Sequence, residues 1–291
     1  MQNIVALPKI FVVILNYNGI DTLSNCLSSV FQSDYENFEV VVVDNNSNDG
    51  SFEKARLNFS RAHFIKNSAN VGFSQGNNVG IRFALEKMAD ALFILNNDTL
   101  IERTTITTLA QQAHINKQAG ILSPVILEGN GNSIWFAGGK IDWKHMKTLH
   151  ATTQPLTKPF ESEYLSGCSM LIKKDVFKKI GLFDERYFLY YEDADLSLRA
   201  NRAGFKLLIV PEAKIKHLEQ SCTKNSSKTY WLVLSGLIFF LTHATTAQKI
   251  WIYPYIVARR LKNFYTLIFH PSPLARDIRR AFSDYSKSKK H

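Results

Sequence analysis

Short runs of uninterrupted apolar residues, each ending in small polar ones, punctuate the first hundred residues. Ile10–Leu15 (IFVVIL) runs into Asn16-Tyr17-Asn18-Gly19, Phe38–Val43 into DNNSNDG at 44–50, His63–Lys66 into NSANVGF, and Ala91–Leu95 into Asn96-Asn97-Asp98. Between them, Leu23, Cys26, Leu27 and Val30 recur at helical spacing after a capping Asp21, and Gly76–Met88 reads as a second helix. Strands apolar on both faces, alternating with helices, predict a parallel sheet covered on both sides. Ligands of such sheets bind beyond the carboxyl ends of the strands. Four successive strands here deliver polar tips to that one edge.

Beyond Gly120 the pattern is mixed. Strands are predicted at 121–126, 134–137, 164–172 and 207–217, and helices near 175–180 and 193–203. No linker separates this region from the first, so residues 1–221 read as one domain. The polar stretch His145–Pro159 predicts a flexible loop, and Cys222–Lys228 predicts a boundary. Past it, Thr229–Phe269 can form two apolar helices, with Pro254 kinking or dividing the second, and Lys287–His291 reads as disordered.

Charge sets that tail apart. The 291-residue chain carries a net +10; residues 1–221 hold 23 basic and 23 acidic side chains, whereas residues 222–291 hold 12 and 2. A neutral body argues against nucleic acid as a partner. A tail with Arg259, Arg260 and Lys262 among Trp251, Tyr253, Tyr255, Phe264 and Tyr265 suits an anionic membrane surface. Packing on the domain, or on a second copy in a homodimer, is the alternative. Three cysteines, Cys26, Cys168 and Cys222, lack any metal or disulfide spacing and fit a reducing compartment. The run at 10–15 has no basic lead and reads as a strand rather than a signal peptide. The longest apolar stretch, Trp231–Leu241, falls short of a bilayer span.

The strand tips are rich in Asn and Asp, side chains that can hold ribose hydroxyls, a base or a diphosphate. Neither G-x-G-x-x-G nor G-x-x-x-x-G-K-[ST] follows the first strand, which removes the dinucleotide and P-loop readings. In Tyr190-Tyr191-Glu192-Asp193-Ala194-Asp195-Leu196 three carboxylates crowd into four residues. Such crowding is found at helix N-termini and at working sites. Asp195 is also spaced to pair with Arg199 one helical turn on.

Taken in order, VVILNYNG, VVVVDNNSNDGS, NVGFSQGNNVG, LFILNNDT, YLSGCSMLIKK, FDERYFLYYEDADLSLRANRAG and HLEQS resemble the inverting family 2 glycosyltransferases of the GT-A fold. The nearest branch is the bacterial rhamnosyltransferase-like enzymes of polysaccharide assembly, and the likeness covers about residues 10–245. It implies an α/β domain with a mixed, mostly parallel sheet flanked by helices, a donor half at about 1–120, an acceptor half at about 121–221, and a helical tail at 222–291. It further implies a UDP- or dTDP-sugar donor, rhamnose or another hexose, and a glycan or polyprenyl-linked acceptor. The expected location is cytoplasmic, on the inner face of the membrane. Transfer would proceed by single displacement with inversion.

Carried over by residue, Asn16, Asn18, Asp44, Asn46, Asn70, Gly72, Asn77 and Asn97 would line the donor. The family's D-x-D metal motif falls on Asn96-Asn97-Asp98, with an amide at the first acidic position. Asn96, Asp98 and His217, which opens the H-x-x-x-S loop to Ser221, would hold a divalent metal; an imidazole favours Mn²⁺ over Mg²⁺. Asp193 would be the catalytic base and Glu192 would hold acceptor or base, with Gly167 and Trp135 on the acceptor side. Two rivals remain. A sugar-nucleotide nucleotidyltransferase would need a Gly-rich basic loop where NYNGID stands, and a non-catalytic, membrane-bound binding subunit would have no use for Asp98, Asp193 and His217.

Overall fold

The computed structural model describes residues 7–153, 157–218 and 226–288. Its first half alternates strand and helix: β1 (Ile10–Asn16), α1 (Leu23–Phe31), β2 (Phe38–Asp44), α2 (Ser51–Asn58), β3 (His63–Lys66), α3 (Gly72–Glu86) and β4 (Ala91–Asn96). These strands pair in parallel, with Asn16 level with Asp44 and Leu15 level with Asn96, so their polar tips come out side by side. Leu23, Cys26, Leu27 and Val30 are the buried face of α1, at the spacing that predicts it. Helix α3 lies close on the sheet because Gly76 faces Leu15 and Gly80 faces Val13, where a Cβ would clash. It also begins at Gly72, four residues before the sequence pattern places it.

The second half adds β5 (Thr99–Ile101), α4 (Thr105–Ile115), β6 (Ala119–Glu128), β7 (Ile134–Phe136), β8 (Gly139–Asp142), β9 (Lys147–His150), β10 (Phe160–Glu161), β11 (Ser169–Lys173), α5 (Lys174–Ile180), α6 (Glu192–Arg202) and β12 (Lys206–His217). The main sheet runs β10-β12-β6-β11-β4-β1-β2-β3, with β5 beside β12 and β7 beside β6. It is mixed, because β11 enters antiparallel between β4 and β6. Strand β12 follows β6 in parallel until Val210 meets Pro124; the register then slips to Lys214, passing over Pro211. Proline cannot donate to a ladder, and bulges gather where it stands. Beyond the slip β12 also pairs with β5, which sets His217 opposite Thr99.

Two expectations are corrected here. The predicted loop at 145–159 contains β9, which pairs with β8 across a turn held by Asp142: Oδ1 accepts the His145 N–H at 3.1 Å, and Oδ2 lies 2.8 Å from Nδ1. The strand expected at 164–172 starts only at Ser169; Ser166 to Ser169 make a turn instead.

The two helices expected over 229–269 are α7 (Ser226–His243) and α8 (Thr246–Phe269), and a third, α9 (Pro273–Ser288), follows them. Pro254 lies inside α8 without dividing it. Helix α7 completes the domain core with Val233, Leu237, Phe239 and Phe240, which pack on Trp143 and Tyr191. Burying two such phenylalanines stabilises the assembly by about 3–5 kcal/mol each, judged by truncation to Ala. Helix α9 is amphipathic and seats Ala281 and Phe282 inward, while Asp284 accepts the Tyr230 hydroxyl at 2.9 Å. Lys287 and Ser288, expected to be disordered, belong to α9. The remainder of that terminal segment, Glu219 to Ser221 of the His217 loop and most of the Cys222–Lys228 boundary lie outside the described residues.

Candidate active site

The tips of β1, β2 and β4 are wired together by one amide. Asn16, fully buried, directs Nδ2 at Asp44 Oδ1 (2.8 Å), Ser51 Oγ (2.9 Å) and Ser47 Oγ (3.2 Å), while its Oδ1 accepts from Asn97 Nδ2 at 2.8 Å. With two N–H groups it can serve two of those three acceptors at once. Asp44 is equally buried and accepts from the Ser47 N–H and hydroxyl at 2.9 and 2.6 Å. Asn16 thus holds Asp44 and Asn97 and has no surface of its own for a ligand. Asn18 and Asn46 stand at the rim in left-handed conformation, φ 52° and 62°, which Asn tolerates. Asn18 Oδ1 accepts from the Asn48 N–H at 3.0 Å.

The loop into α3 touches the other half of the site. Asn70 Oδ1 accepts from the Gly72 N–H at 3.0 Å, and Asn45 Nδ2 donates to the Gly72 carbonyl at 2.9 Å. Gly72 has φ 82° and lies against Phe188, where a Cβ would run into the Phe188 carbonyl and ring. The next residue, Phe73, donates its N–H to that same carbonyl at 2.7 Å. Asn77 Oδ1 and Ser74 Oγ on α3 are buried with no partner among the described residues.

Asp98 and His217 meet through the β5–β12 pairing. Nε2 of His217 is 3.3 Å from Asp98 Oδ2, and the Leu218 N–H donates to the Asp98 carbonyl at 2.7 Å. Asp98 Oδ1 and His217 Nδ1 are buried and unpartnered among the described residues. Orphaned buried polar atoms of this kind call for a missing partner. A carboxylate and an imidazole fit Mn²⁺, and Mg²⁺ less well. Among the described residues no third His, Cys, Asp or Glu joins them, so a cation there would complete its shell with diphosphate and water oxygens. The backbone of Asn96 is engaged on both sides: its carbonyl accepts from Thr99 Oγ1 at 2.7 Å, and its N–H donates to the Cys168 carbonyl at 3.0 Å.

That last bond leads to the acidic cluster. One residue before Cys168, the Gly167 N–H donates to Asp193 Oδ2 at 3.0 Å, while Asp193 Oδ1 accepts from the Ala194 N–H at 2.7 Å. The chain reaches α6 through Tyr190 and Tyr191, both left-handed at φ 69° and 67°. Such a conformation costs about 1–3 kcal/mol per non-glycine residue and persists only where the surroundings over-determine it. Tyr191 is clamped by stacking on Phe239 and by its hydroxyl donating to the Met146 carbonyl at 3.4 Å. Glu192 is buried, with Oε2 unpartnered among the described residues. Burial and the neighbouring Asp193 charge push its carboxyl well above the ordinary range. Burial also raises Asp193, and the Gly167 and Ala194 N–H donors oppose that rise.

Asp195 pairs with Arg199 at 2.7 Å, as its spacing predicts. Its other oxygen receives His243 Nε2 of α7 at 2.6 Å, a partner that lies 48 residues away and carries no local signal. His150 was also invisible in sequence. On β9 it packs at 4.7 Å from the Trp135 ring, whose other contact at 4.7 Å is His217. Desolvation lowers the His150 imidazole and the charge of Asp193 opposes this, so His150 is neutral at pH 7 and lies near the base. Trp135 therefore stands between the Asp98–His217 pair and the hairpin beside Asp193.

The chain is similar to the dTDP-rhamnosyl transferase RfbF of Shigella flexneri, at 29% identity over 72% of this chain and 69% of that one. It is also similar to an N-acetylglucosaminyl-diphospho-decaprenol L-rhamnosyltransferase of Mycobacterium tuberculosis, at 27% identity over 71% of this chain and 75% of that one. Among solved structures, the mannosyltransferase PcManGT of Pyrobaculum calidifontis, in complex with GDP-Man and Mn²⁺, superposes with a TM-score of 0.62 at 13% identity, over 97% of this chain and 88% of that one. GalNAc-T7 with UDP, GalNAc and Mn²⁺ gives 0.64 at 20% identity, over 79% of this chain but only 48% of that one. These structures share the GT-A fold. The sequence profile of glycosyl transferase family 2 matches residues 11–181, more than half of the chain and all of the donor-side strands, and the chain belongs to that family.

Proposed function

We propose that this glycosyltransferase moves rhamnose or another hexose, with inversion, from a UDP- or dTDP-sugar to a glycan or lipid-linked acceptor in the assembly of a bacterial surface polysaccharide. The observation that carries the reading is the meeting, at one sheet edge, of the Asn16–Asp44–Asn97 network, the Asp98–His217 pair and the Asp193 carboxyl held by the Gly167 N–H. The relatives named above act on dTDP-rhamnose and on a diphospho-decaprenol acceptor by their names, which supports the donor and acceptor classes.

In a single displacement the acceptor oxygen bonds to the anomeric carbon as that carbon's bond to the diphosphate breaks. Asp193 Oδ accepts the proton of the attacking hydroxyl. Its two N–H donors fix the carboxylate for that role, and burial beside it disfavours a second charge on Glu192. Asp98 and His217 would hold a divalent cation, Mn²⁺ or Mg²⁺, which when bound offsets the charge that develops on the leaving diphosphate. Trp135 shields that pair from the acceptor side. The test is incubation with UDP- and dTDP-sugars, Mn²⁺ and candidate acceptors. The expected result is equimolar nucleoside diphosphate and an elongated acceptor. Release of inorganic diphosphate from a nucleoside triphosphate and a sugar 1-phosphate, with no transfer from the NDP-sugar, would identify nucleotidyl transfer instead, and donor binding without release would identify a binding subunit.

We further infer that α8 rests on an anionic membrane surface. Trp251, Leu261, Phe264 and Ile268 are more than half exposed there, with the exposed Arg260 beside them. No helix among the described residues is long and apolar enough to cross a bilayer. Each cation near an anionic leaflet contributes about 1 kcal/mol, which salt screens, while aromatic insertion resists salt. Deleting the tail would strip α7 from the core, so the informative comparison is the full chain with Trp251→Glu and Phe264→Glu. Wild type is expected to sediment with anionic liposomes, losing part of its binding in high salt; the double variant should lose the salt-resistant fraction. Unchanged liposome binding, or loss of a dimer instead, would move this face to a subunit interface.

A further inference from the structure

Between the β8–β9 hairpin, α7, α8 and α9 lies a cavity of about 620 Å³, away from the donor edge. Leu237, Leu274 and Ile278 form its apolar wall; Lys147, Arg259 and Lys262 line it, and among the described residues no Asp or Glu does. Asp142, the cross-strand partner of Lys147, offsets part of one of these charges, and the rest of the repulsion among the three cations favours an anion in the hollow. Arg259 and the two lysines offer the combination that suits phosphate: a planar fork beside point charges.

The cavity is connected to the chemistry at two places. Tyr191, which lines it, precedes Asp193 by two residues, and the Arg259 charge partly offsets the burial that pushes its phenol up to about 12. Strand β9 starts in the cavity at Lys147 and ends at His150, beside Trp135 and within reach of the Asp193 charge. At roughly 3.3 Å per residue those ends are about 10 Å apart, a separation that a diphosphate and one sugar ring together bridge. Trp251, Tyr265 and Phe269 flank the cavity-lining face of α8 at helical spacing, and all three are exposed.

We propose that this cavity is the diphosphate subsite for a lipid-linked acceptor. The phosphates lie against Lys147, Arg259 and Lys262, the sugar reaches along β9 toward Asp193, and the lipid leaves over Trp251, Tyr265 and Phe269. The direction assigned to the sugar rests on the transferase reading above; the anion site stands on the cavity's own charges.

The test fills the donor site of the full chain with nucleoside diphosphate and Mn²⁺, then titrates farnesyl diphosphate, farnesol and inorganic diphosphate. Farnesyl diphosphate is expected to bind, and the alcohol more weakly. An Arg259→Gln, Lys262→Gln double variant, shown by its melting temperature to be folded, should bind it on the order of 100-fold more weakly, about tenfold or more per charge-assisted contact. Lys249→Gln, on α8 but outside the cavity, should bind as wild type does. In turnover, the preference for a prenyl-diphosphate-linked acceptor over the plain alkyl glycoside should fall in the double variant, through KM. Equal affinity of wild type and double variant, or equal binding of farnesol and farnesyl diphosphate, would overturn the proposal. So would a defect seen only with phospholipid vesicles, which would make these cations a membrane contact. If no acceptor is elongated, the transferase reading falls while the titration still decides the cavity.

Discussion

Asp193→Asn is expected to lower sugar transfer by about 10²–10⁴-fold, the usual worth of a positioned general base, while donor binding stays nearly intact. The amide keeps the size of the side chain and one oxygen for the Gly167 or Ala194 N–H. The other N–H then faces an NH₂ group, so some stability is lost as well, about 1–3 kcal/mol for an unsatisfied buried donor. The defect must therefore be read at a temperature where the variant is folded, by steady-state transfer beside titration with the nucleoside diphosphate. Near-normal turnover would move the base elsewhere, with Glu192 next in line.

The pH profile gives a second readout of the same residue. Burial raises Asp193 above the ordinary carboxylate range, and the reaction needs its ionised form. Activity should then be lost as pH falls through that raised value, at a higher pH than an ordinary aspartate would give. In Asp193→Asn that acid limb should vanish from the residual rate. Burial and the Asp193 charge raise Glu192 well above the ordinary range, and its ionisation as pH rises would put a second charge beside Asp193, which the position at the start of α6 only partly relieves.

How far such a site can be read from sequence depends on whether its contacts are local. The strands β1 to β4 are legible because both their faces are buried, which leaves continuous apolar runs. Strand β9 is not, since Lys147, Leu149 and His150 are exposed and nothing in KTLH marks a strand; its existence depends on β8 and on the turn at Asp142. Helix α9 buries only Ala275, Ala281 and Phe282 and takes its stability from α7 and α8, so its arginine-rich sequence hides it. The same division runs through the site. Residue types at the strand tips and the Asp195–Arg199 spacing are local and readable. That Asn16 is a buried hub, that His243 reaches Asp195, and that His150 lies near Asp193 are products of tertiary pairing. Asp98 and His217 could be named together only through motif order; the β12 bulge that joins them has its cause in Pro124 and Pro211, far from either.

Chelation should suppress transfer by at least as much as loss of the base, and Mn²⁺ should restore it more effectively than Mg²⁺. The leaving group is a diphosphate whose charge grows as its bond to the sugar breaks, and neutralising charge of that kind in a cleft is worth several kcal/mol. Lys66, in an ion pair with Glu53, is the only Lys or Arg on the tips of β1 to β4 or in the loops directly following them, so those tips supply little positive charge of their own. With an amide at Asn96, the protein offers a divalent cation one carboxylate and one imidazole, and substrate oxygens must complete the shell. A coupling follows from that incomplete ligand set: Mn²⁺ should bind weakly to the protein alone and much more tightly with nucleoside diphosphate present, and by linkage the nucleotide should gain the same factor from Mn²⁺. Titration of each ligand with and without the other measures both sides of that cycle. His217→Ala should raise the Mn²⁺ concentration needed for half-maximal transfer, and Asp98→Asn should do so more strongly, since it removes the only carboxylate of the pair. Full activity in EDTA, with no metal in the purified protein, would mean that Asp98 and His217 serve only each other, and that positive side chains stabilise the diphosphate.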